Sequence, residues 1–409
     1  MKGAYPVKYF LNPSINQPIE EIWDDIDAYT GEYFEDEPHL HNKIDFVVPL
    51  PPLKYKGKFL KGLFFSQACE YILKLYPELK KIFIPCAYTM WSNYSWSDSA
   101  EVYLTCYENK EREKYYKNKY PNKKDIIFVP LQDADFTNEY QVAPTFNTPK
   151  TIDVLCVSTC LPVKNLPLLA SAIKEYEKKY NKPLKVTFVL GSRLIEKDEN
   201  GKLSYPNLPD RQKKQMDEVI KILGYSKNIE YLPWVDYKNL TKYFTSAKCL
   251  VLASLIEGKN RSINEALTCN TPVVVFRDHN KWARGSHPIF FENSGEYVET
   301  FSAPALADTI HKVISNLDYY EPRKNYLKYN GRKNFINTLI NHIPYYHCNV
   351  EDFEKNNFHQ NIWIDLATQA NYQLSYHDFL YGKNTAIQHV RGLEDIDKLV
   401  KFFMARFNR

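Results

Sequence analysis

The sequence predicts an α/β protein with two parallel-sheet domains, on three observations. Its 409 residues exceed the length of a typical single domain. Hydrophobic residues make up 44% and charged residues 25% of the chain, as in ordinary globular proteins. Short runs rich in β-branched residues alternate with one-sided helical patterns, which is typical of a parallel sheet covered by helices.

The middle of the chain shows this alternation most clearly. Five runs have the length and composition of buried strands: Thr151–Ser158, Leu184–Leu190, Asn228–Leu232, Cys249–Ser254 and Pro272–Phe276. Between the first two, Leu169, Ile173, Tyr176 and Tyr180 recur at steps of four, three and four, which places one apolar helix face against the sheet. We therefore assign residues 148–320 to a Rossmann-like domain.

The first 147 residues repeat the pattern less regularly and are assigned to a second Rossmann-like domain. Strands are predicted at Val7–Leu11, Lys43–Pro49, Lys81–Cys86, Glu101–Cys106 and Asp125–Val129, and helices near Phe65–Leu79 and Glu108–Lys119. The segment Gln141–Lys150 carries two prolines and two threonines ahead of a new strand, which is typical of a linker.

Residues 321–409 are predicted to form a mainly helical extension. In its last segment Leu393, Ile396 and Val400 share one helix face, and we expect that face to pack back on the N-terminal domain. The basic residues Lys398 and Lys401 of the same segment could instead contact an anionic membrane surface.

Charge and composition exclude several classes of protein. The 53 basic and 49 acidic residues are interspersed, so no nucleic-acid footprint is expected at the level of the whole chain. The first residues lack the apolar run of a signal peptide, and no stretch approaches about 18 apolar residues, so we expect a cytoplasmic protein, at most at the inner face of a membrane. The eight cysteines form no C-x-x-C pair and are expected to be reduced packing residues; no metal site is predicted.

The segment 254–275, SLIEGKNRSINEALTCNTPVVV, carries the strongest signal of chemistry. Glu257 follows a buried strand, and Glu265 lies eight residues later in the next helix. Ligands of open α/β sheets bind beyond the carboxyl ends of the strands, where a helix N-terminus attracts anions. Gly258 would allow close backbone approach, Asn260 or Ser262 can cap the helix, and Lys259 and Arg261 supply cations. The pattern predicts a site for a diphosphate.

This segment, with E-G-x6-E-A-L and a following P-V-V, resembles the E-x7-E motif of retaining family 4 glycosyltransferases. The resemblance extends over residues 151–316. VSTCLPVKNLP at 157–167 is similar to the family's first strand and phosphate-binding loop, and VLGS at 189–192 to its second strand. NIEYLPWVD at 228–236 is similar to the base-binding turn. The resemblance implies a GT-B architecture, in which two Rossmann-like domains face a cleft.

The resemblance also implies roles for individual residues. Lys164 would hold the donor pyrophosphate, Glu265 the ribose hydroxyls, and Glu257 would face the transferred sugar as the catalytic residue. Thr159, Arg193 and Trp234 complete the expected donor site. The implied reaction transfers a hexose or pentose with retention of configuration from a nucleotide-diphosphate sugar, UDP or GDP being expected, without an obligatory metal or other cofactor.

Two departures from the family pattern affect these assignments. The family's Gly-Arg before the phosphate loop is replaced by Ser158 and Thr159, so Arg261 or Arg193 would have to supply the second cation. The family's first-domain histidine is absent from the comparable strand, IFIPCAYTMW, where its role is either vacant or taken by Tyr88.

The loop that follows this strand is a candidate acceptor site. It brings aromatic and acidic side chains together in a polar segment: Trp91, Tyr94, Trp96 and Asp98. Aromatic faces beside a carboxylate suit a carbohydrate. The alternative is a partly buried loop whose tryptophans face the core. A glycan or glycolipid acceptor is expected, with modified DNA in a viral setting as the other option.

Two further functions remain open at this level. A sugar-nucleotide epimerase-like enzyme could use the same fold, because a fold does not determine function. A catalytically inactive nucleotide-sugar-binding partner would fit the loss of the family's arginine and histidine. The first alternative predicts a new sugar nucleotide without release of free nucleotide, and the second predicts binding without turnover.

Overall fold

The computed structural model describes most of the chain between residues 45 and 346. The described residues are 45–50, 52–55, 58–66, 69–89, 97–105, 108–131, 139, 142–254, 260–277, 292–346, 389–391, 396–398, 400–401 and 404–405. The described residues divide into two compact units, one formed by residues 142–329 and the other by the described residues between 45 and 141 together with those after 329. No helix in the described part of the chain is long and apolar enough to cross a membrane.

The N-terminal unit is an α/β unit in which the structure describes seven strands and three helices before residue 131. In chain order these are β1 (Asp45–Leu50), β2 (Leu53–Tyr55), β3 (Lys58–Leu60), β4 (Gly62–Ser66), α1 (Cys69–Leu75), α2 (Leu79–Ile82), β5 (Phe83–Thr89), β6 (Val102–Thr105), α3 (Lys110–Lys119) and β7 (Ile127–Val129). Strands β4 to β7 are parallel neighbours, and β1 lies antiparallel to β4. The predicted strand Val7–Leu11 lies outside the described residues.

The second unit follows the predicted alternation of strands and helices. Its elements are β8 (Ile152–Val157), α4 (Leu166–Tyr180), β9 (Val186–Val189), β10 (Glu196–Lys197), β11 (Leu203–Ser204), α5 (Asp210–Leu223), β12 (Ile229–Leu232), α6 (Tyr237–Ser246), β13 (Ala247–Leu252), α7 (Arg261–Thr268), β14 (Val273–Phe276), β15 (Gly295–Val298), α8 (Ala303–Ser315) and α9 (Pro322–Tyr329). Six strands form one parallel sheet in the order β12-β9-β8-β13-β14-β15. All five strands predicted here are present.

The chain then returns to the N-terminal unit through α10 (Arg332–His342) and β16 (His389–Arg391). Helix α10 contributes Phe335 and Leu339 to the core on one face of the sheet β16-β1-β4-β5-β6-β7. On the other face, Ile396 and Val400 of the final helical segment are buried with Phe64. The α/β fold class is therefore confirmed, since each unit has a largely parallel six-stranded sheet between packed helices.

One predicted element needs correction. The helix predicted near Phe65–Leu79 begins only at Cys69, because Gly62–Ser66 is the fully buried strand β4. A short, continuous apolar run has no periodicity that separates a buried strand from a buried helix. The extension 321–409, predicted to be mainly helical, also contributes the edge strand His389–Arg391, which pairs with β1.

The segment predicted as a linker, Gln141–Lys150, packs on the second unit from residue 142 onward. Val142 is buried in the core beside β8 and β13. The Thr145 amide donates to Thr245 Oγ1 at 3.2 Å, and Lys150 Nζ donates to Thr271 Oγ1 at 3.0 Å. These three attachments hold residues 142–150 against the unit that they precede.

Replacing Lys150 with methionine is expected to stabilise the protein at neutral pH. Burial lowers the pKa of the Lys150 ammonium from 10.5 to about 8. Below pH 8 the lysine is protonated in both the folded and the unfolded state, so the folded protein carries the full cost of burying the charge. Between pH 8 and 10.5 the unfolded state binds more protons than the folded state, so the stability of the wild type rises with pH. Lys150→Met should raise the free energy of unfolding by about 1 to 2 kcal/mol at pH 7, after loss of the Thr271 hydrogen bond.

Urea denaturation at pH 7 and at pH 10 checks this expectation. The gain of Lys150→Met should shrink at the higher pH, whereas Lys185→Met, at an exposed lysine of the same unit, should change stability at neither pH. Equal stability of Lys150→Met and wild type at pH 7 would contradict the proposed cost of burying this ammonium.

Candidate functional site

The carboxyl edge of the second unit's sheet collects the predicted donor residues. In the parallel register Val157 of β8 lies beside Val189 of β9, which lies beside Leu232 of β12. On the other side of β8, Leu155 pairs with Leu250 of β13. The loops that follow these four strands therefore leave the sheet at one edge. They carry Thr159 and Lys164, Arg193, Trp234 and the start of α7, respectively.

The loop after β8 begins close to the end of β9. The Ser158 amide donates to the Val189 carbonyl at 2.9 Å, and a Cβ added at Gly191 would lie 3.7 Å from Thr159 Cγ2. Lys164 ends a 3₁₀ turn just before α4. Burial raises the pKa of the Cys156 thiol to about 12, and the nearby Lys164 ammonium opposes that rise. Lys164 therefore lies in the short segment that connects the carboxyl end of β8 to α4.

Arg193 and Trp234 form one feature at the ends of β9 and β12. The Arg193 guanidinium carbon lies 4.7 Å from the centroid of the Trp234 ring. The loops that carry them are joined where the Ser192 amide donates to the Pro233 carbonyl at 2.9 Å. Trp234 is 43% exposed. The pair therefore presents a cation and an aromatic surface to solvent beside the loop that follows β8.

Helix α7 carries the other half of the predicted donor set. Of the two candidate capping residues, Asn260 is the cap, since its Oδ1 accepts from the Ser262 amide at 2.9 Å. Arg261 and Ser262 in the first turn are half-buried, and Glu265 is 3% exposed. Because α7 follows β13, its N-terminus lies at the carboxyl edge of the sheet. A helix in this position offers backbone N–H groups and a positive dipole end to an anion.

Several predicted residues lie outside the described residues. Glu257, Gly258 and Lys259 belong to this group, as do Trp91, Tyr94 and Trp96 of the candidate acceptor loop. The structure therefore brings Thr159, Lys164, Arg193, Trp234, Asn260, Arg261, Ser262 and Glu265 to one sheet edge. Tyr88 lies in β5 of the N-terminal unit, and Asp98 lies on the exposed turn where the acceptor loop rejoins the described chain.

Glu70, which the sequence analysis did not identify, anchors this end of the candidate acceptor loop. Glu70, in the first turn of α1, accepts hydrogen bonds through Oε2 from Ser97 Oγ and from the Ser99 amide, both at 2.9 Å. Burial alone would raise the pKa of Glu70, but these hydrogen bonds, aided by Lys74, lower it below its ordinary value. Tyr103 adds a hydrogen bond from its hydroxyl to the Ser97 carbonyl at 3.0 Å. The only signal in the sequence was a glutamate in a first helical turn.

The cysteines and the acidic groups give no second site within the described part of the chain. All six cysteines with described positions are buried and free of disulfides: Cys69, Cys86, Cys156, Cys160, Cys249 and Cys269. Burial raises the pKa of their thiols, which makes them poor nucleophiles. Within the described ranges, no three His, Cys, Asp or Glu side chains are grouped so that they could hold a metal ion.

The second unit is similar in sequence to a known protein family. The family model described as glycosyl transferases group 1 matches residues 137–334, just under half of the chain. No curated protein sequence matches the chain.

Solved structures with a similar fold include three from bacteria. Sucrose-phosphate synthase from Thermosynechococcus elongatus is 15% identical over 61% of this chain and 65% of its own, with a TM-score of 0.42. A point mutant of S. aureus TarM is 15% identical over 70% of this chain and 62% of its own, with a TM-score of 0.46. The C-terminal domain of LpcC from Francisella tularensis is 18% identical over 47% of this chain and 96% of its own, with a TM-score of 0.36.

The protein therefore spans less than two thirds of the length of the first two of these structures. Two α/β units, each with a largely parallel six-stranded sheet, agree with the predicted GT-B fold class. Residues 137–334 are thus similar to the family described as glycosyl transferases group 1.

Proposed function

We propose that the protein is a retaining glycosyltransferase that moves a hexose or pentose from a UDP- or GDP-sugar to a hydroxyl of a glycan or glycolipid. In this proposal residues 148–320 bind the donor and residues 1–147 bind the acceptor. The observation that carries it is that Lys164, the capped N-terminus of α7 and the buried Glu265 all follow strands at one sheet edge, within the segment that matches the group 1 family model.

The donor diphosphate is assigned to Lys164, Arg261 and the N–H groups of the first turn of α7. These groups combine a point charge, a guanidinium fork and a helix dipole, all of which favour phosphate oxygens. Arg193 is engaged over the Trp234 ring, so Arg261 is the better candidate for the cation that is missing at Thr159. The exposed face of Trp234, steadied by Arg193, suits stacking with the nucleobase.

Glu265 is assigned to the ribose. An ionised carboxylate only accepts hydrogen bonds, and the two ribose hydroxyls are donors at the spacing that one carboxylate can accept. At 3% exposure Glu265 is shielded from bulk water, which strengthens a hydrogen bond to a ligand hydroxyl. Gly258, Lys259, Asn260 and Ser262 would contact the phosphates or the sugar from the same loop and helix start.

Transfer requires stabilisation of the departing diphosphate and of the positive charge that develops on the sugar. Lys164, Arg261 and the α7 amides are aimed at the first of these charges, and such preorganised groups supply a large part of enzymatic rate enhancement. Glu257 is assigned to the sugar side, where its carboxylate would stabilise an oxocarbenium-like state. Tyr88, Trp91, Tyr94, Trp96 and Asp98 are assigned to the acceptor, with their loop anchored through Ser97 to Glu70.

A thermal-shift panel with UDP, GDP, ADP and CMP tests the donor site. One nucleotide family should raise the melting temperature by several degrees, since a ligand at 100 times its Kd adds about 2.7 kcal/mol of stability. Glu265→Ala and Glu265→Gln should lose this shift. Glu218→Ala, on the exposed face of α5, should keep it.

The free variants must first melt cooperatively, so that a lost shift reports lost binding rather than unfolding. A wild-type protein that none of the nucleotides stabilises would contradict the proposal. Stabilisation of Glu265→Ala equal to that of wild type would remove Glu265 from the donor site while leaving the nucleotide assignment in place.

A further inference from the structure

The C-terminal end of α7 is held by a side chain from another helix. The last four carbonyls of an α-helix have no N–H donor within the helix and need donors from outside it. In α7 all four have one: Glu265 O accepts from the Cys269 amide (3.0 Å), Ala266 O from the Thr271 amide (2.9 Å), Leu267 O from the Asn270 amide (3.1 Å) and Thr268 O from Arg323 Nη1 (2.5 Å). The first three donors are local to α7, and only the fourth comes from a distant residue.

The local part of this end is a Schellman-type turn. Asn270 adopts the left-handed conformation with φ of 58°, and the Thr271 amide reaches back to Ala266 while the Asn270 amide reaches Leu267. Such a turn leaves the carbonyl of Thr268 pointing out of the helix end. Arg323 fills that position, and a cation there is also favoured by the negative end of the helix dipole.

Arg323 itself is firmly placed in the second unit. Its own amide donates to Asn270 Oδ1 at 3.2 Å, so both backbone and side chain contact the end of α7. Three residues later, Tyr326 is fully buried in the same cluster as Ile263 and Ala266 of α7. At the start of α9, the Glu321 amide donates to the Asn293 carbonyl at 2.9 Å. Helix α9 thus forms a fixed support along α7.

A support of this kind matters because α7 is short. Its eight residues make just over two turns, or about 12 Å, and a helix of that length has almost no intrinsic stability in water. Its position is therefore decided by its contacts. Arg261 in the first turn and Glu265 in the second move with the helix as a unit, so a change at Thr268 shifts both.

We propose that Arg323 is a positioning residue of the donor site, which acts by fixing the C-terminal end of α7 and through it the placement of Arg261 and Glu265. The inference rests on the proposed function, since it assigns those two residues to the donor. Arg323 lies at the far end of α7 from the proposed phosphate position and acts without touching the ligand.

Nucleotide affinity is the readout that separates positioning from a merely structural role. The probe is whichever of UDP, GDP or ADP stabilises wild type, with Kd measured by calorimetry well below the melting temperatures of all variants. Arg323→Ala should weaken the Kd roughly tenfold, and Arg323→Lys should restore most of the affinity because an ammonium can still donate to Thr268 O. Lys324→Ala is the matched control: it removes a neighbouring cation of α9 whose contact is an exposed pair with Glu321.

Amide hydrogen exchange of the free protein provides a measurement that needs no ligand. Arg323→Ala should speed exchange at the α7 amides 265–268, whereas Lys324→Ala should not. An Arg323→Ala variant with wild-type Kd, even at a lowered melting temperature, would overturn this inference alone. A wild type that binds none of the three nucleotides would overturn the proposed function and this inference together.

Discussion

Gly295→Ala is expected to lower the free energy of unfolding by about 3 kcal/mol or more, the largest stability effect that we predict for a single methyl group. Gly295 opens β15 and pairs with Val273 of β14. A Cβ placed on it would overlap the Val273 carbonyl oxygen and lie 2.7 Å from the Val273 nitrogen. These atoms belong to the backbone of the neighbouring strand, so relief requires the two strands to separate.

Urea denaturation measures this loss, and Gly224→Ala provides the matched control. Gly224 also has a positive φ, of 64°, but a Cβ there would meet nothing within 4 Å. Its substitution reports backbone strain alone, which we expect to cost about 1 to 2 kcal/mol. If Gly295→Ala were no more destabilising than Gly224→Ala, the close approach of β14 and β15 would not be a determinant of stability.

Glu257→Gln is expected to slow sugar transfer by about 10² to 10³-fold while nucleotide binding is retained. Glu257 lies outside the described residues, so its role rests on the E-G-x6-E-A-L motif and on its assignment to the sugar side of the site. The amide keeps the size of the carboxylate but removes the charge that would stabilise the reacting sugar. Glu265→Ala should show the opposite behaviour, with loss of nucleotide binding.

The slow transfer of the donor sugar to water makes this test independent of the acceptor. Release of nucleoside diphosphate from the nucleotide sugar should fall in Glu257→Gln and stay unchanged in Glu218→Ala. The thermal shift with nucleotide should be retained in both variants. Glu257→Gln with wild-type release would exclude a role for this carboxylate in transfer, and a lost thermal shift would move Glu257 to donor binding.

The strands and helices of the second unit could be predicted because each of its layers has its own periodicity. Strands buried on both faces are apolar throughout, and helices packed on them are apolar on one side only. Prediction failed where that distinction disappears. Strand β4 is a five-residue buried run beside a helix. Strand β15, Gly295–Val298, begins with a glycine, which its close approach to Val273 of β14 requires, and it lacks the continuous apolar run of the other strands.

The residues of the candidate site also fall into two groups, those that the sequence analysis identified and those that it did not. The helix cap is a local pattern, so Asn260 and Ser262 could be named as its candidates from the residues alone. Lys164 and Trp234 were assigned through the resemblance to the family motifs, and their roles stay predictions. Glu70 and Arg323 could not be identified in either way, because their partners are distant in sequence: Glu70 is bonded to Ser97 and Arg323 to Thr268. Nothing in a local pattern separates such residues from the many exposed charges of the same type.

The sequence by itself determined the α/β class, the order of elements in the second unit and the residue types at its carboxyl edge, because these depend on short-range periodicity and on backbone chemistry. The tertiary structure decided three further matters. It packed residues 142–150 onto the unit that they precede, engaged Arg193 with Trp234, and held the end of α7 with Arg323. Each of these three interactions joins segments that are far apart in the chain. Many pairings of such segments are compatible with the same local sequence pattern, and only the assembled core selects one of them.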